Sequence, residues 1–261
     1  LLFGFIISFV LILSSLLLLP SVKEDKFVLS SQTCEFKIYK TVPNMSGIKL
    51  YHFNVSAPSR GAYMATKLIG VPAEIVIINL IKKEQLSESF IKINPQHCVP
   101  TLDDNGFILW ESRAIACYLA DKYGKNDDIY PKDLQKRAVV NARLYFDSSF
   151  LYPKIRAICY PIIYEGVTEI KEKLRDDLNA TLGFLNQFLN GNKWVAGNDM
   201  TIADTAILAS MSSIIQVGWD MSQFPNIQRW FQDCSIIPGY EENIEGAKAF
   251  SELVKKNLKS N

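Results

Sequence analysis

The chain has 261 residues, enough for one large domain or two small ones with a sizeable buried core. Its 48% hydrophobic and 21% charged residues exclude a largely disordered protein. Net charge is +1, with four Lys against three acids in residues 1–44 and 24 of each sign in the other 217, so the neutral body offers no electrostatic footprint to nucleic acid.

Residues Leu1–Leu19 form an apolar run: fifteen are strongly apolar, the rest are Ser or Gly, and no charge precedes Lys23. As a helix the run would span about 28 Å, close to a bilayer's hydrocarbon core. Three readings stay open. A signal peptide lacks its basic n-region and a small-residue cleavage site before Pro20. A candidate transmembrane anchor would keep the following domains cytoplasmic through Lys23, Lys26, Lys37 and Lys40. The third is upstream sequence translated in frame, since the first Met is Met45. Residues 21–44 are polar, without a core-building period. The expectation is that 1–44 is a dispensable extension.

From Ile48 to Phe53 the chain reads as a strand. Ser56-Ala57-Pro58-Ser59 opens a helix running to about Ile69, with Pro58 suited to the first turn. Gly70-Val71-Pro72 breaks it, and Ala73–Leu80 reads as a buried parallel strand, which makes a β-α-β unit. A polar stretch with a short helix leads to a strand at Pro100–Leu102, and Asn105-Gly106 signals a hairpin into Phe107–Trp110. Glu111–Tyr123 is an amphipathic helix ending at Gly124. After a polar linker the period is helical throughout, over Leu134–Tyr164, Thr168–Leu189, Thr201–Gln216, Pro225–Asp233 and Tyr240–Asn257. The expected organisation is therefore an extension (1–44), an α/β domain (45–125), a linker (126–133) and an all-helical domain (134–261).

Most chemistries are missing. No two glycines are spaced as GxG, which removes dinucleotide and P-loop cradles, and there is no GxSxG. Five cysteines without a CxxC, and only His52 and His97, speak against a disulfide framework and a metal cage and for a reducing compartment. In a β-α-β domain of thioredoxin type the first helix N-terminus carries CxxC; here Ser56-Ala57-Pro58-Ser59 puts hydroxyls in place of both sulfurs. A hydroxyl there can donate a hydrogen bond to an anion, helped by the helix dipole. Taken alone, Ser56 reads more readily as an ordinary N-cap.

Asn94-Pro95-Gln96-His97-Cys98-Val99-Pro100-Thr101-Leu102 and Trp110-Glu111-Ser112-Arg113-Ala114-Ile115 resemble the glutathione-binding segments of cytosolic glutathione transferases. Ser56-Ala57-Pro58-Ser59-Arg60 is similar to the serine-type active site of the insect delta and epsilon classes. Val195-Ala196-Gly197 with Thr201-Ile202-Ala203-Asp204 resembles the family's helical-domain capping motif, and Pro238–Asn243 with Gly246-Ala247 resembles the epsilon class. The likeness runs from Ser46 to about Leu258.

The resemblance implies a thioredoxin-like N-terminal domain that binds glutathione, an all-α domain that forms the electrophile pocket, and a homodimer in the cytoplasm. Glutathione is a co-substrate, and neither a cofactor nor a metal is implied. Ser56 would hydrogen-bond the glutathione sulfur and favour its thiolate. A two-unit shift of the thiol pKa needs only about 3 kcal/mol. Val99-Pro100 would carry a cis peptide, with the Val99 backbone pairing with the cysteinyl unit, and Cys98 would lie alongside, read as a silent thiol with oxidation or glutathionylation as the alternative. Ser112 and the helix N–H groups suit the γ-glutamyl carboxylate, Glu111 its ammonium, and His97 the glycyl end. Arg113 either adds to the carboxylate or forms a salt bridge on the helix face. Gln85 stands where family members often carry a histidine. Six aromatics fall within residues 145–164, and by resemblance Tyr152 and Tyr164, with Phe250, line the electrophile pocket. The expected reaction is conjugation of glutathione to hydrophobic electrophiles for detoxification, with peroxidase activity toward organic hydroperoxides as a side reaction. A non-catalytic ligand carrier or an assembly module on the same fold is the alternative.

Overall fold

The computed structural model of the chain describes residues 47–258. The readings of residues 1–44 as signal, anchor or dispensable extension lie outside the described residues. Among the described residues no helix is long and apolar enough to cross a membrane.

Four strands form one mixed sheet in the order β2-β1-β3-β4. They are β1 (Ile48–His52), β2 (Glu74–Ile77), β3 (Thr101–Asp104) and β4 (Phe107–Trp110). Strand β2 runs parallel to β1, while β3 is antiparallel to both β1 and β4. The pleat sends Ile48 and Leu50 into the main core, and the intervening face of β1 carries Tyr51 to a smaller cluster with Phe90 and Val99. Tyr51 and Phe90 meet edge-on at 5.5 Å. The β3–β4 turn is built by Asn105 (φ 54°) and Gly106 (φ 91°), two left-handed residues that match the twist of the flanking strands.

Helix α1 (Ala57–Ile69) supplies the parallel crossover and ends on Gly70 at φ 83°, whose N–H closes onto the Thr66 and Lys67 carbonyls. Helix α2 (Glu88–Ile93) is one short turn capped by Ser87. Helix α3 (Ser112–Tyr123) follows β4 and is tied back to the hairpin through Asp104, which accepts hydrogen bonds from Tyr118, Lys122 and Tyr123. Together these elements are a thioredoxin-like domain.

The helical domain comprises α4 (Leu134–Phe146), α5 (Tyr152–Tyr164), α6 (Glu172–Phe188), α7 (Ile202–Val217), α8 (Pro225–Asp233) and α9 (Tyr240–Lys255). At its centre lies α7, buried nearly all round. A capping box opens this helix, the Thr201 side chain and that of Asp204 each satisfying the other's backbone N–H. Helix α1 lies directly on α7, where a Cβ at Gly61 would come within 3.3 Å of the Ala206 Cα. A single apolar core therefore runs through both domains.

Several sequence-based bounds shift. The stretch read as a buried strand over Ala73–Leu80 is strand only at Glu74–Ile77, and it lies at the sheet edge with Ile77 57% exposed. Its apolar run mimics a central strand because the chain beyond Ile77 turns toward the cleft described below. The helix read over Leu134–Tyr164 is broken by a π-turn at Asp147–Leu151, where one extra residue per turn re-aims the side chains. Helix α6 begins at Glu172 rather than Thr168. Gly124 ends α3 at φ −58°, so it is not a left-handed cap; it is required because a Cβ there would sit 2.4 Å from the Ala120 carbonyl oxygen.

The last residue of β1, His52, is buried and hydrogen-bonded through Nδ1 to Ser59 Oγ at 2.9 Å. Burial pushes its pKa down to about 4. The folded state therefore holds the neutral imidazole, and the stability it contributes is full above the unfolded value near 6.5 and falls as pH drops toward 4. Between pH 7.5 and 4.5 the loss from this group is expected to be about 2–3 kcal/mol. Asp204, pushed up to about 6 by burial, acts in the opposite sense over the same range. The measurement is therefore urea unfolding of wild type and His52→Gln at both pH values, and an equal pH dependence in the two proteins would exclude His52 as the acid-labile group.

Candidate functional site

The site is centred on Ser56. The residue is extended (φ −78°, ψ 115°) at the N-cap position of α1, yet its side chain caps nothing. Its N–H instead reaches the Phe53 carbonyl at 2.9 Å, and its own carbonyl receives the Arg60 N–H at 3.0 Å. The backbone is thus held while the hydroxyl stays uncommitted at the positive end of a helix. Burial of Ser59 and its bonds to His52 and the Phe53 N–H leave Ser56 as the hydroxyl of the pair that faces the cleft.

Ser56 opens onto a cleft of about 470 Å³ lined by Gln85, His97, Cys98, Val99, Pro100, Glu111, Ser112 and Arg113, with Tyr152, Arg156 and Tyr160 across it. All of the candidate residues from three separate sequence segments meet here. The segment 94–101 is organised by Asn94, fully buried, whose amide donates to Thr101 Oγ1 at 2.8 Å and to the Cys98 carbonyl at 3.2 Å. Its Oδ1 accepts the Gln96 N–H. The Val99–Pro100 peptide is cis, as the resemblance implied, and His97 takes a left-handed conformation (φ 42°) on the exposed rim. Burial pushes the Cys98 thiol up, which disfavours its thiolate.

The second segment holds a feature that sequence reasoning missed: Glu111 caps α3 at φ 72°. That conformation is uncommon for a non-glycine residue, and it places an exposed carboxylate beside the helix N-terminus, where Ser112 is buried. Arg113 neither stays free for a ligand nor pairs along its own helix. It forms an ion pair with Asp147 of the π-turn and donates to Ser112 Oγ at 2.9 Å. Asp147 is fully buried with its carboxyl pushed up by that burial; nothing in the sequence pattern singles it out, because its partner lies 34 positions away. Gln85 also lines the cleft, its Oε1 buried without a hydrogen-bond partner among the described residues.

Adjoining the cleft, and sharing Ser56, Leu80, Tyr152, Arg156 and Tyr160 with it, is a narrow apolar recess of about 40 Å³. Its lining also includes Phe53, Ile155, Ile163, Tyr164 and Phe250. The three pocket residues expected from the sequence are thus brought together, Phe250 buried and Tyr164 68% exposed at the mouth. Tyr152 and Tyr160 face each other through their hydroxyls at 3.4 Å, and the Arg156 guanidinium lies 4.5 Å from the Tyr160 ring centre. The two compartments meet along a seam that includes the Ser56, Tyr152 and Tyr160 hydroxyls: a polar cleft suited to a charged peptide and a small apolar recess beside it. Among the described residues no cluster of His, Cys, Asp or Glu could hold a metal ion.

Two family models match the chain, the glutathione S-transferase N-terminal domain over residues 50–127 and the C-terminal domain over residues 145–238. Glutathione S-transferase D7 of Drosophila melanogaster is 44% identical over 203 residues, covering 77% of this chain and 90% of that protein. Among solved structures, an unclassified glutathione S-transferase from Bombyx mori is 69% identical with a TM-score of 0.80, covering 82% of this chain and 100% of that one. An epsilon-class enzyme from the housefly, Musca domestica, is 41% identical with a TM-score of 0.78 and the same coverage. A Drosophila mojavensis homologue, 36% identical with a TM-score of 0.78 over 82% of this chain and 99% of its own, was solved with bound glutathione.

Proposed function

Since this chain belongs to the glutathione S-transferase family and is an enzyme of that family, we propose that it conjugates reduced glutathione to hydrophobic electrophiles through a thiolate stabilised by the Ser56 hydroxyl. The observation that carries this reading is the meeting of the polar cleft and the apolar recess at Ser56. Glutathione occupies the cleft. The γ-glutamyl carboxylate lies on Ser112 and the α3 N-terminus, its ammonium on Glu111, the cysteinyl unit on the Val99 backbone, and the glycyl end toward His97 and Gln85. Arg113, committed to Asp147, acts by holding Ser112 in place rather than by binding the carboxylate. The Ser56 hydroxyl donates to the sulfur, and the helix N-terminus adds its field.

With its proton lost to solvent, the sulfur attacks the electrophile held between Tyr152, Tyr164 and Phe250. The new bond is a thioether, and the leaving group departs with the electrophile's displaced electron pair. The apolar walls exclude water that would otherwise compete as nucleophile.

The enzyme acts as a homodimer. The exposed face of α4 presents Leu134, Ala138, Ala142 and Tyr145 at helical spacing, with Phe150 beyond the helix end, an apolar stripe of the kind that a second copy covers. A reducing cytoplasm keeps the free thiols of Cys98, Cys117, Cys159 and Cys234 and glutathione itself reduced.

The experiment is steady-state turnover of chlorodinitrobenzene with glutathione. The expected result is conjugation, with a Glu111→Ala protein showing a rise of roughly tenfold or more in the KM for glutathione, because a bond to a charged group is typically worth about 1.5–3 kcal/mol. Glutathione binding without any turnover over a panel of electrophiles would mark a carrier instead.

A further inference from the structure

Arg60 is 1% exposed, one helical turn beyond Ser56. Its Nε donates to Asn243 Oδ1 at 2.9 Å. One terminal nitrogen donates to the carbonyls of Asn54 (3.0 Å) and Val55 (2.9 Å), the two residues that lead into Ser56. The other donates to the Ala209 carbonyl (3.0 Å) and Ser213 Oγ (2.6 Å) of α7. All five N–H groups of the guanidinium are therefore spent on uncharged acceptors. No carboxylate among the described residues pairs with it.

This is an unusual economy, because a wholly buried cation is ordinarily matched by a counter-charge. Packing leaves it nowhere to go. Helix α9 presses on the same spot, where a Cβ at Gly246 would fall 2.2 Å from the Asn54 carbonyl oxygen and 2.7 Å from Arg60 Cδ. The surrounding groups leave the charge standing. From β1, His52 faces it as neutral imidazole, its pKa held near 4 by burial. From α5, Tyr152 is kept protonated by burial. Helices α7 and α9 contribute Ala209, Ser213 and Asn243, none of them ionisable. Burial pushes the guanidinium itself down only to about 9, so it is charged at neutral pH.

We propose that Arg60 is the counter-charge of the glutathione thiolate: a cation walled in behind Ser56, deliberately unmatched by any carboxylate, whose field acts on the sulfur while its two carbonyl contacts hold the Ser56 segment in place. It touches no substrate and works through position and charge. The inference rests on the reading of the Ser56 cleft as the glutathione site. Asn243 is then the residue that satisfies Nε without neutralising it, and Asn243→Asp is a near-isosteric change that places a carboxylate on the same nitrogen.

The test measures the thiol pKa of glutathione bound to each protein, by titrating thiolate absorbance in the ultraviolet, together with the glutathione Kd by calorimetry. In Asn243→Asp the bound thiol pKa is expected to rise by about one unit, with Kd changed only a few-fold. The kcat/KM profile should move up by the same amount. Arg60→Lys, which retains the charge and loses the fork, should keep the thiol pKa near the wild-type value even where thermal stability falls. An unchanged thiol pKa in Asn243→Asp with binding intact, or an equal rise in Arg60→Lys, overturns the inference alone. Absence of glutathione binding to the wild-type enzyme overturns the reading of the cleft and this inference with it.

Discussion

Ser56→Ala is expected to lower kcat ten- to roughly a thousandfold while changing the glutathione Kd by only a few-fold. The groups assigned to the two ends of the tripeptide, Glu111 and Ser112 at one side and His97 and Gln85 at the other, are untouched by this change. In the proposed mechanism the hydroxyl acts on the sulfur charge, and losing one hydrogen bond to a charged group costs about 1.5–3 kcal/mol, or roughly one to two powers of ten in rate. The upper end of the range follows if a displaced water also perturbs the apolar recess next to it. Because the hydroxyl makes no capping bond, the α1 terminus loses nothing by the substitution, and the melting temperature should stay within a degree or two. Steady-state kinetics from pH 5.5 to 9 is the measurement. The kcat/KM profile should move to higher pH as the bound thiol becomes less acidic, and equal turnover of the two proteins at pH 6.5 would remove Ser56 from the mechanism.

Asp204→Ala should be the most damaging single change to the fold, by about 4 kcal/mol. The carboxylate is fully buried and accepts from the Val195 N–H at 3.0 Å, the Thr201 N–H at 2.8 Å, Thr201 Oγ1 at 3.2 Å and Trp230 Nε1 at 3.0 Å. Alanine leaves those donors buried without a partner, and each unsatisfied donor costs about 1–3 kcal/mol, partly offset by relaxation. It also opens the N-terminus of α7, the helix against which α1 and the Arg60 guanidinium are seated. Thr201→Ala, which removes one side-chain cap and leaves the carboxylate in place, should cost about 1 kcal/mol. Urea unfolding of the three proteins at pH 7.5 would order them, and equal losses for Thr201→Ala and Asp204→Ala would show that the box, rather than the wider set of four donors, carries the effect.

The elements that the sequence determined are those whose cause is local. Asn105-Gly106 makes its hairpin because both residues tolerate left-handed backbone, Thr201 and Asp204 satisfy N–H groups three positions apart, and Pro58 opens α1 with a fixed φ; each can be read within a window of a few residues. The two-part organisation was legible for the same reason, since the hydrophobic period changes after Gly124 and stays helical. Ser56, Val99, Glu111 and Ser112 were legible as candidates through the likeness of short segments, although the segments themselves do not say that they meet. What only the tertiary structure decided are the relations across the chain. The Arg113 side chain could have reached a ligand or its own helix, and its choice of Asp147 depends on a π-turn 34 positions away that no periodicity announces. Glu111 takes φ 72° because strand β4 must hand over to α3 at that angle, not because glutamate favours it. The Ala73–Leu80 run looked like a central strand because apolar content alone does not report which side of a sheet is left open. Arg60 reads from sequence as one more charged residue on an amphipathic helix. Its five uncharged acceptors come from α1's own loop, α7 and α9, and only packing of those elements reveals a cation enclosed behind the Ser56 hydroxyl.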